Sequence, residues 1–143
     1  MRLFVLLAAL ALAGCDGAKP DIAAIDGWAR ETAAGMSTAA IYLTITNKGA
    51  GNDRLVAVSV PLASKASLHQ MSMDGGVMRM RAIEGGLAIP AGQTVALSPS
   101  GTHIMIEGIN APLAAGQKTE ALLRFERSGQ LTVPVTVEAA GAR

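Results

Sequence analysis

The sequence predicts an all-β domain, folded as a two-sheet sandwich or a Greek-key barrel of about nine short strands. Three observations favour this fold class. Short segments rich in β-branched and aromatic residues alternate between apolar and polar positions. Glycine, proline, asparagine and aspartate separate these segments at short intervals. Few stretches have an apolar pattern of helical period that is long enough to form a helix.

The candidate strands follow one another along the chain after an N-terminal segment. One of them shows the pattern most clearly, because Ile41, Leu43 and Ile45 alternate with polar or aromatic neighbours. Pro134 interrupts the last strand and has no N–H to donate, so we expect an edge position or a bulge there. In order, the predicted strands span residues 25–30, 39–46, 55–60, 67–73, 77–83, 87–89, 94–97, 103–106, 119–127 and 130–138.

The first residues have the composition of a bacterial targeting segment. Arg2 precedes an apolar run that is too short to span a bilayer as a stable helix. The run ends in Leu-Ala-Gly before Cys15, which matches the cleavage box of lipoprotein signal peptides. We therefore predict a signal peptide at 1–14, a lipidated Cys15 with a tether at 15–21, and one domain at 22–143. The alternative is an ordinary secretory signal that leaves Cys15 as a free thiol.

Charge and cysteine content narrow the possible partners and the cellular location. The chain has 12 Lys and Arg against 11 Asp and Glu, a net charge of +1, which does not favour a nucleic-acid partner. Cys15 is the only cysteine, so the predicted domain has no disulfide framework. A lipid anchor would hold the domain on the periplasmic side of the envelope. Asp16 directly after the cysteine is typical of retention at the inner membrane in enteric bacteria.

Both histidines and most methionines are concentrated in one part of the chain. Two alternating segments flank Asp74-Gly75-Gly76, which is a tight-turn signal and predicts a hairpin. A two-residue turn would place Met73 opposite Met78. Met71 would then lie opposite Met80, whereas a bulged loop would shift this register by one residue. The concentrated residues are His69, Met71, Met73, Met78, Met80, His103 and Met105.

These residue types favour a soft metal ion, and Cu(I) in particular. Thioether and imidazole ligands suit Cu(I), whereas zinc prefers thiolate, imidazole or carboxylate, and calcium and magnesium prefer oxygen. A blue-copper centre would need a cysteine ligand in the domain. The ligands can meet at one ion only if the strand with His103 and Met105 lies beside the hairpin, which the sequence does not establish. The alternative interpretation is that the methionines fill the core.

The spacing of these residues closely resembles that of the periplasmic copper chaperones of the PCu(A)C family. Ten residues separate His69 from Met80, and 22 residues lead to His103-x-Met105, one more than in the family pattern. Glu84-Gly85-Gly86 is the expected place for the extra residue, because glycine tolerates a turn or bulge. Other segments similar to the family, over about residues 24–137, are Trp28-Ala29-Arg30, 40–47, Asp53-Arg54-Leu55, 76–81, 89–92 and Pro112-Leu113.

The resemblance implies a cupredoxin-like β-sandwich that carries copper and is not an enzyme. The ligands carried over from the family are His69, Met80, His103 and Met105. The resemblance also implies delivery of Cu(I) towards the CuA site of cytochrome c oxidase, with oxidase subunit II or a Sco-like protein as partner. Met71, Met73 and Met78 lie outside the ligand pattern and are expected to line the site or contact the ion transiently.

Two other functions remain open at this point. One is an envelope lipoprotein that binds no metal and uses an immunoglobulin-like sandwich for assembly or adhesion, with its methionines packed between the sheets. The other is a copper enzyme or electron carrier, which the lack of a cysteine ligand disfavours.

Overall fold

The computed structural model describes residues 17–143, and it confirms the predicted all-β fold class. Ten strands are formed, one at each of the ten predicted segments, and residues 17–143 contain no helix. This described part therefore has no helix long and apolar enough to cross a bilayer. The strands are β1 (Ile22–Arg30), β2 (Thr38–Asn47), β3 (Asp53–Ser59), β4 (Lys65–Asp74), β5 (Val77–Ala82), β6 (Leu87–Ile89), β7 (Thr94–Ala96), β8 (Thr102–Glu107), β9 (Lys118–Phe125) and β10 (Gly129–Glu138).

The strands form one hydrogen-bonded path in the order β5-β4-β8-β2-β1-β10-β9-β3-β6, and β7 pairs with β2 off this path. Strand β1 joins the two halves, because it is antiparallel to β2 on one side and parallel to β10 on the other. The other pairings are antiparallel. One apolar core draws side chains from both halves, as expected for the layers of a sandwich.

The core is built from the inward-facing positions of alternating strands. On β2, Ile41, Leu43 and Ile45 are at most 1% exposed, as their spacing predicts. On β8, Ile104 and Ile106 are fully buried. Burying one such aliphatic side chain contributes about 1.5–3 kcal/mol. The buried Ile104 and Ile106 also fix which face of β8 carries the intervening His103 and Met105, since side chains alternate across a strand.

The position of β10 in the sheet contradicts one prediction. Pro134 was expected at an edge or a bulge, but β10 lies inside the path, between β1 and β9. The irregularity occurs in the neighbouring strand instead. The register of β1 shifts between Ile25 and Trp28, Asp26 has a φ of 59°, and the parallel pairing of β1 with β10 runs from Val135 onward. The edge prediction is therefore wrong, because the bulge in β1 takes the ladder past the residue that has no N–H.

Two buried polar side chains organise the loops at one end of the sandwich. The Asn47 amide donates to the carbonyls of Gly51 and Ile89 at 2.8 and 3.1 Å. The Asp53 carboxylate accepts bonds from the backbone N–H of Arg54, Arg127 and Ser128 and from the Ser128 hydroxyl. Burial raises the pKa of Asp53, but these hydrogen bonds outweigh it, so the net pKa lies below the ordinary value.

The chain just before β1 is bound to the domain. Arg127 donates to the Ala18 carbonyl at 2.7 Å, and the Gly51 N–H donates to the Lys19 carbonyl at 3.0 Å. The Asp21 N–H donates to the Asn47 side chain at 3.1 Å. The predicted signal peptide and Cys15 lie outside the described residues, so their assignment stays a prediction.

Candidate metal centre

The methionine hairpin forms with the register that a two-residue turn predicts. Met73 pairs with Met78 and Met71 pairs with Met80, while His69 pairs with Ala82. Gly75 and Gly76 have φ values of 59° and 82°, a left-handed conformation that favours glycine at both positions of this turn. The four thioethers therefore share one face of the hairpin with His69.

The third strand lies directly beside this hairpin. Strand β8 pairs with β4 in a register that places His69 opposite His103 and Ser67 opposite Met105. The two imidazole rings are stacked, with an interplanar angle of 26° and centroids 6.1 Å apart. The arrangement that the sequence could not establish is therefore present, and His69, Met80 and His103 lie together.

His103 is held so that one ring nitrogen faces a sulfur atom. Its Nδ1 lies 3.2 Å from the Gly101 carbonyl oxygen, which can only accept, so Nδ1 carries the proton. In the neutral ring, Nε2 then presents a lone pair to the Met80 Sδ, 3.2 Å away. In this tautomer Nε2 carries no hydrogen, so two electron-pair donors face each other. Such a contact suits a cation that accepts both pairs.

His69 also keeps one ring nitrogen free. Its Nε2 lies 2.9 Å from the Ser67 Oγ, and its Nδ1 is buried with no hydrogen-bond partner. A buried N–H without an acceptor is rarer in proteins than an under-used acceptor, so we place the proton on Nε2, donated to Ser67. Nδ1 is then a buried lone pair without a hydrogen-bond partner, as expected of a nitrogen that binds a metal ion.

Met105, the fourth residue of the predicted set, lies diagonally across the β4–β8 ladder from His69. It lies two residues from His103 on the same face of β8, half-buried between Ala40 of β2 and Ser67 of β4. Both neighbours have small side chains, so the long thioether has room to turn towards the diagonal His69.

An aromatic wall closes the centre on the side away from the hairpin. The Tyr42 ring lies 6.3 Å from the His103 ring and 4.6 Å from the Trp28 ring, measured between centroids. Both aromatic side chains are less than 10% exposed, and they pack on the histidine face outside the main core. The Arg143 guanidinium carbon lies 5.1 Å from the Trp28 ring centroid, at the end of the row formed by the His103, Tyr42 and Trp28 rings. Burial raises the pKa of the Tyr42 hydroxyl, and Arg30 offsets part of this, so Tyr42 stays neutral.

Charged groups of the hairpin lie on its opposite face. Arg79 and Arg81 pair with Ser72 and Gln70, and both arginines lie within 4.0 Å of the Asp74 carboxylate. Residues 17–143 hold no cluster of three or more His, Cys, Asp or Glu side chains placed to bind a metal ion. The donor set of the centre consists of imidazole and thioether groups.

The remaining predicted residues differ in their distance from the hairpin turn and in their exposure. Met71 lies beside Met80 and is half-buried, next to the histidine pair. Met73 and Met78 lie nearer the turn and are 66% and 48% exposed. This exposure contradicts the alternative in which these methionines fill the core. Sequence reasoning did not identify Ser67 or Tyr42 as parts of the centre. Ser67 could have been found, because it precedes His69 by two positions on the same strand face.

The loop expected to hold the extra residue has the conformation that its glycines allow. Gly85 and Gly86 have φ values of 78° and 85°. A Cβ on Gly86 would lie 2.6 Å from the Leu55 carbonyl oxygen, so glycine is needed there for close approach as well as for φ. The loop follows β5, the strand that carries Met80, so the extra residue lies outside that strand.

Comparison with known proteins identifies relatives over nearly all of the described residues. Residues 22–137 match the family model described as "Putative lipoprotein LpqE-like". The putative lipoprotein Lxx21020 of Leifsonia xyli subsp. xyli is 36% identical over 111 residues, which cover 78% of this chain and 66% of that protein. The uncharacterised protein RP573 of Rickettsia prowazekii is 28% identical over 116 residues, 79% of this chain and 64% of its own length. The chain thus spans about two thirds of the length of these relatives.

Solved structures with the same fold are PCuAC domains and a related protein. The apo PCuAC domain from PmoF1 superposes with a TM-score of 0.70 at 26% identity, covering 82% of this chain and 93% of that one. The copper-bound PCuAC domain from PmoF2 gives 0.68 at 24% identity, covering 82% and 92%, and supports the fold alone. The Cu(I) form of DR1885 from Deinococcus radiodurans gives 0.59 at 29% identity, covering 82% and 76%.

Proposed function

Because the chain belongs to the LpqE-like family of PCuAC domains, we propose that it is a copper chaperone. The family is one of metal carriers and not of enzymes. We assign Cu(I) as the cargo and His69, Met80, His103 and Met105 as its ligands. The Cu(I) form of DR1885, 29% identical to this chain, supports the choice of cargo.

One observation carries the ligand assignment. The Gly101 carbonyl holds the Nδ1 proton of His103, and this leaves the Nε2 lone pair 3.2 Å from the Met80 sulfur. Thioether ligands need no deprotonation and select Cu(I), while imidazole nitrogens add basicity. The buried, unpartnered Nδ1 of His69 supplies a second nitrogen donor, on a ring whose centroid lies 6.1 Å from that of His103. Protons compete with copper for both imidazoles, so binding weakens in acid.

Burial of the ligands supports a mechanism of stepwise ligand exchange. His103 is 4% exposed, whereas Met80 is 46% exposed on the edge strand β5. An acceptor can therefore approach the copper from the Met80 side and replace the neutral thioether first. The imidazole of buried His103 would leave last, so the ion stays bound to at least one protein during transfer.

We further propose an envelope location and an acceptor. Lipid on Cys15 would anchor the domain on the periplasmic side, and one relative is itself named as a lipoprotein. Asp16 favours the inner membrane. The acceptor that fits the family resemblance is the CuA site of cytochrome c oxidase subunit II, or a Sco-like protein on the way to it. The rival function in assembly or adhesion is disfavoured, because it requires buried methionines on the hairpin.

A competition titration with a chromophoric Cu(I) chelator tests the ligand assignment. His103→Ala or Met105→Ala should abolish tight binding, while circular dichroism shows the same β-sheet content as in the unmodified chain. X-ray absorption of the loaded chain should report both nitrogen and sulfur neighbours of copper. Unchanged affinity in both variants would reject the ligand set.

Transfer is tested separately from binding. The Cu(I)-loaded chain is mixed with a copper-free CuA domain or Sco-like protein, the two are separated, and the copper in each is measured. Copper moving to one acceptor supports the delivery proposal. Retention by the chain in the presence of both acceptors would refute this delivery route and leave the binding assignment intact.

A further inference from the structure

The outer part of the methionine hairpin carries thioethers that the proposed copper site does not use. Met71, Met73 and Met78 share one face of the β4–β5 ribbon, and Met73 lies directly opposite Met78. Side chains directly opposite have Cβ atoms about 4.5–5.5 Å apart, and diagonal neighbours lie about 7–8 Å apart, within reach of long side chains. The three sulfur atoms can therefore approach one ion.

These methionines do not contribute to the core. Met73 is 66% exposed and Met78 is 48% exposed, and neither packs on the core cluster. The residue pairs of β4 with β8 end at Gln70 and Thr102, and one further bond joins the Met71 N–H to the Gly101 carbonyl at 3.1 Å. Beyond Met71 the hairpin continues as a two-stranded ribbon. An apolar side chain this exposed contributes little to stability. A packing role therefore does not explain why several positions on one face carry the same sulfur group.

The turn and the opposite face keep this sulfur-bearing surface in a fixed arrangement. Gly75 and Gly76 form a two-residue turn with positive φ at both positions, which holds Met73 and Met78 in register. The cationic side chains Arg79 and Arg81 lie on the reverse face, paired with Asp74. A metal cation on the methionine face therefore meets neutral donors and no directly opposing positive charge.

We propose that Met71, Met73 and Met78 form a second site for a monovalent soft metal ion, Cu(I) or Ag(I), at the end of the hairpin. Thioethers are soft, neutral ligands that select such ions over zinc, calcium or magnesium. The site binds more weakly than the histidine-containing centre, because it has no imidazole ligand and faces water. Its position next to Met80, the cross-strand partner of Met71, lets it take up an ion and pass it to that centre. The transfer step rests on the proposed function, whereas binding at the hairpin does not.

The stoichiometry of Ag(I) binding, followed by NMR of methyl-labelled methionine, tests this site. Ag(I) is used because it resembles Cu(I) in ligand preference and is not oxidised to a divalent ion in aerated buffer. The purified chain should bind two ions. The methyl signals of Met73 and Met78 should shift with the second equivalent, and that of Met36, 49% exposed between β1 and β2, should not.

Paired leucine substitutions separate a metal site from an apolar docking surface. Leucine keeps the volume and apolar character of methionine and removes the sulfur. Met73→Leu combined with Met78→Leu should reduce two bound ions to one, and the matched control Met36→Leu should keep two. His103→Ala should lose the tight ion and keep the weak one, so the failure of either site can be told from the other. One ion in the unmodified chain, or two ions in the doubly substituted hairpin, would overturn the proposal.

Discussion

Met80→Leu removes the sulfur that faces His103 while keeping a side chain of the same size. Met80 is 46% exposed on the edge strand β5. A volume-conserving change at such a position should alter the free energy of unfolding by no more than about 0.5 kcal/mol. The Nε2 of His103 would then face carbon where it now faces sulfur at 3.2 Å. The folded chain is kept, and one of the proposed copper ligands is lost.

The expected loss of affinity converts into a thermal shift. Removing an outer partner of a metal ligand costs about 10–100-fold in affinity, so we expect the loss of a direct ligand to cost at least about 100-fold. With free Cu(I) buffered at about 100 times the wild-type Kd, binding stabilises the wild type by about 2.7 kcal/mol and the variant by only about 0.4 kcal/mol. At about 4 °C per kcal/mol for a domain of this size, the Tm rises by about 11 °C and about 2 °C, respectively.

The assay is thermal unfolding followed by the fluorescence of Trp28, the single tryptophan, with and without buffered Cu(I). Met36→Leu is the matched control, because Met36 has nearly the same exposure, 49%, and lies outside the hairpin. The control should show the full wild-type shift. A full shift in Met80→Leu as well would show that the Met80 sulfur does not bind the ion.

Two further substitutions test groups around the centre and in the frame that supports it. Ser67→Ala should weaken Cu(I) binding by about 10–100-fold, because the hydroxyl that fixes the proton on the His69 Nε2 is lost, and Ser67→Thr should restore affinity in the same chelator titration; equal affinity in the alanine variant would contradict this. Asp53→Asn should lower the free energy of unfolding, measured in urea near neutral pH, by about 1–3 kcal/mol. The amide has one acceptor oxygen where the buried carboxylate has two, so some of the N–H and O–H groups that now donate to Asp53 lose their acceptor. Since the folded pKa of Asp53 is lowered, its stabilisation is present above the unfolded value of about 3.9 and is lost as pH falls through the folded value, so the two proteins should converge in strong acid. A difference that persists there would refute the charge-based explanation.

Local geometry explains why the hairpin could be predicted in detail. The register of Met73 with Met78 follows from the turn between them, and two glycines restrict that turn to a conformation with positive φ. Once the turn is fixed, alternation determines which face every side chain occupies. The prediction needed only residues close together in sequence, and the structure confirms it.

The placement of β8 beside β4 depends on contacts between distant residues. His69 and His103 pair across two strands that are far apart in the chain, and several other apolar strands have a similar pattern. Nothing local to His103 identifies its neighbour, so the residues alone left the meeting of the two histidines open. The same limit applies to Tyr42, which reaches His103 only because β2 is the next strand.

Tertiary structure also determines where Pro134 and Trp28 lie. Pro134 lies within an internal strand because the adjacent β1 carries a bulge at Asp26. Trp28 is buried, but by Tyr42 and Arg143 on the histidine face of the sheet. In both cases the position of the residue depends on contacts with neighbouring segments of the fold, which the local sequence does not show.

The difference in burial between the ligands links the fold to the proposed transfer. His103 is fixed on three sides, by the Gly101 carbonyl, the Tyr42 ring and the His69 ring, and is 4% exposed. Met80 belongs to a strand that pairs on one side only, so its sulfur can move away without disturbing the core. A carrier needs both properties, because rigid ligands give affinity and a movable ligand allows release. An edge strand beside a buried strand provides them within a single ladder.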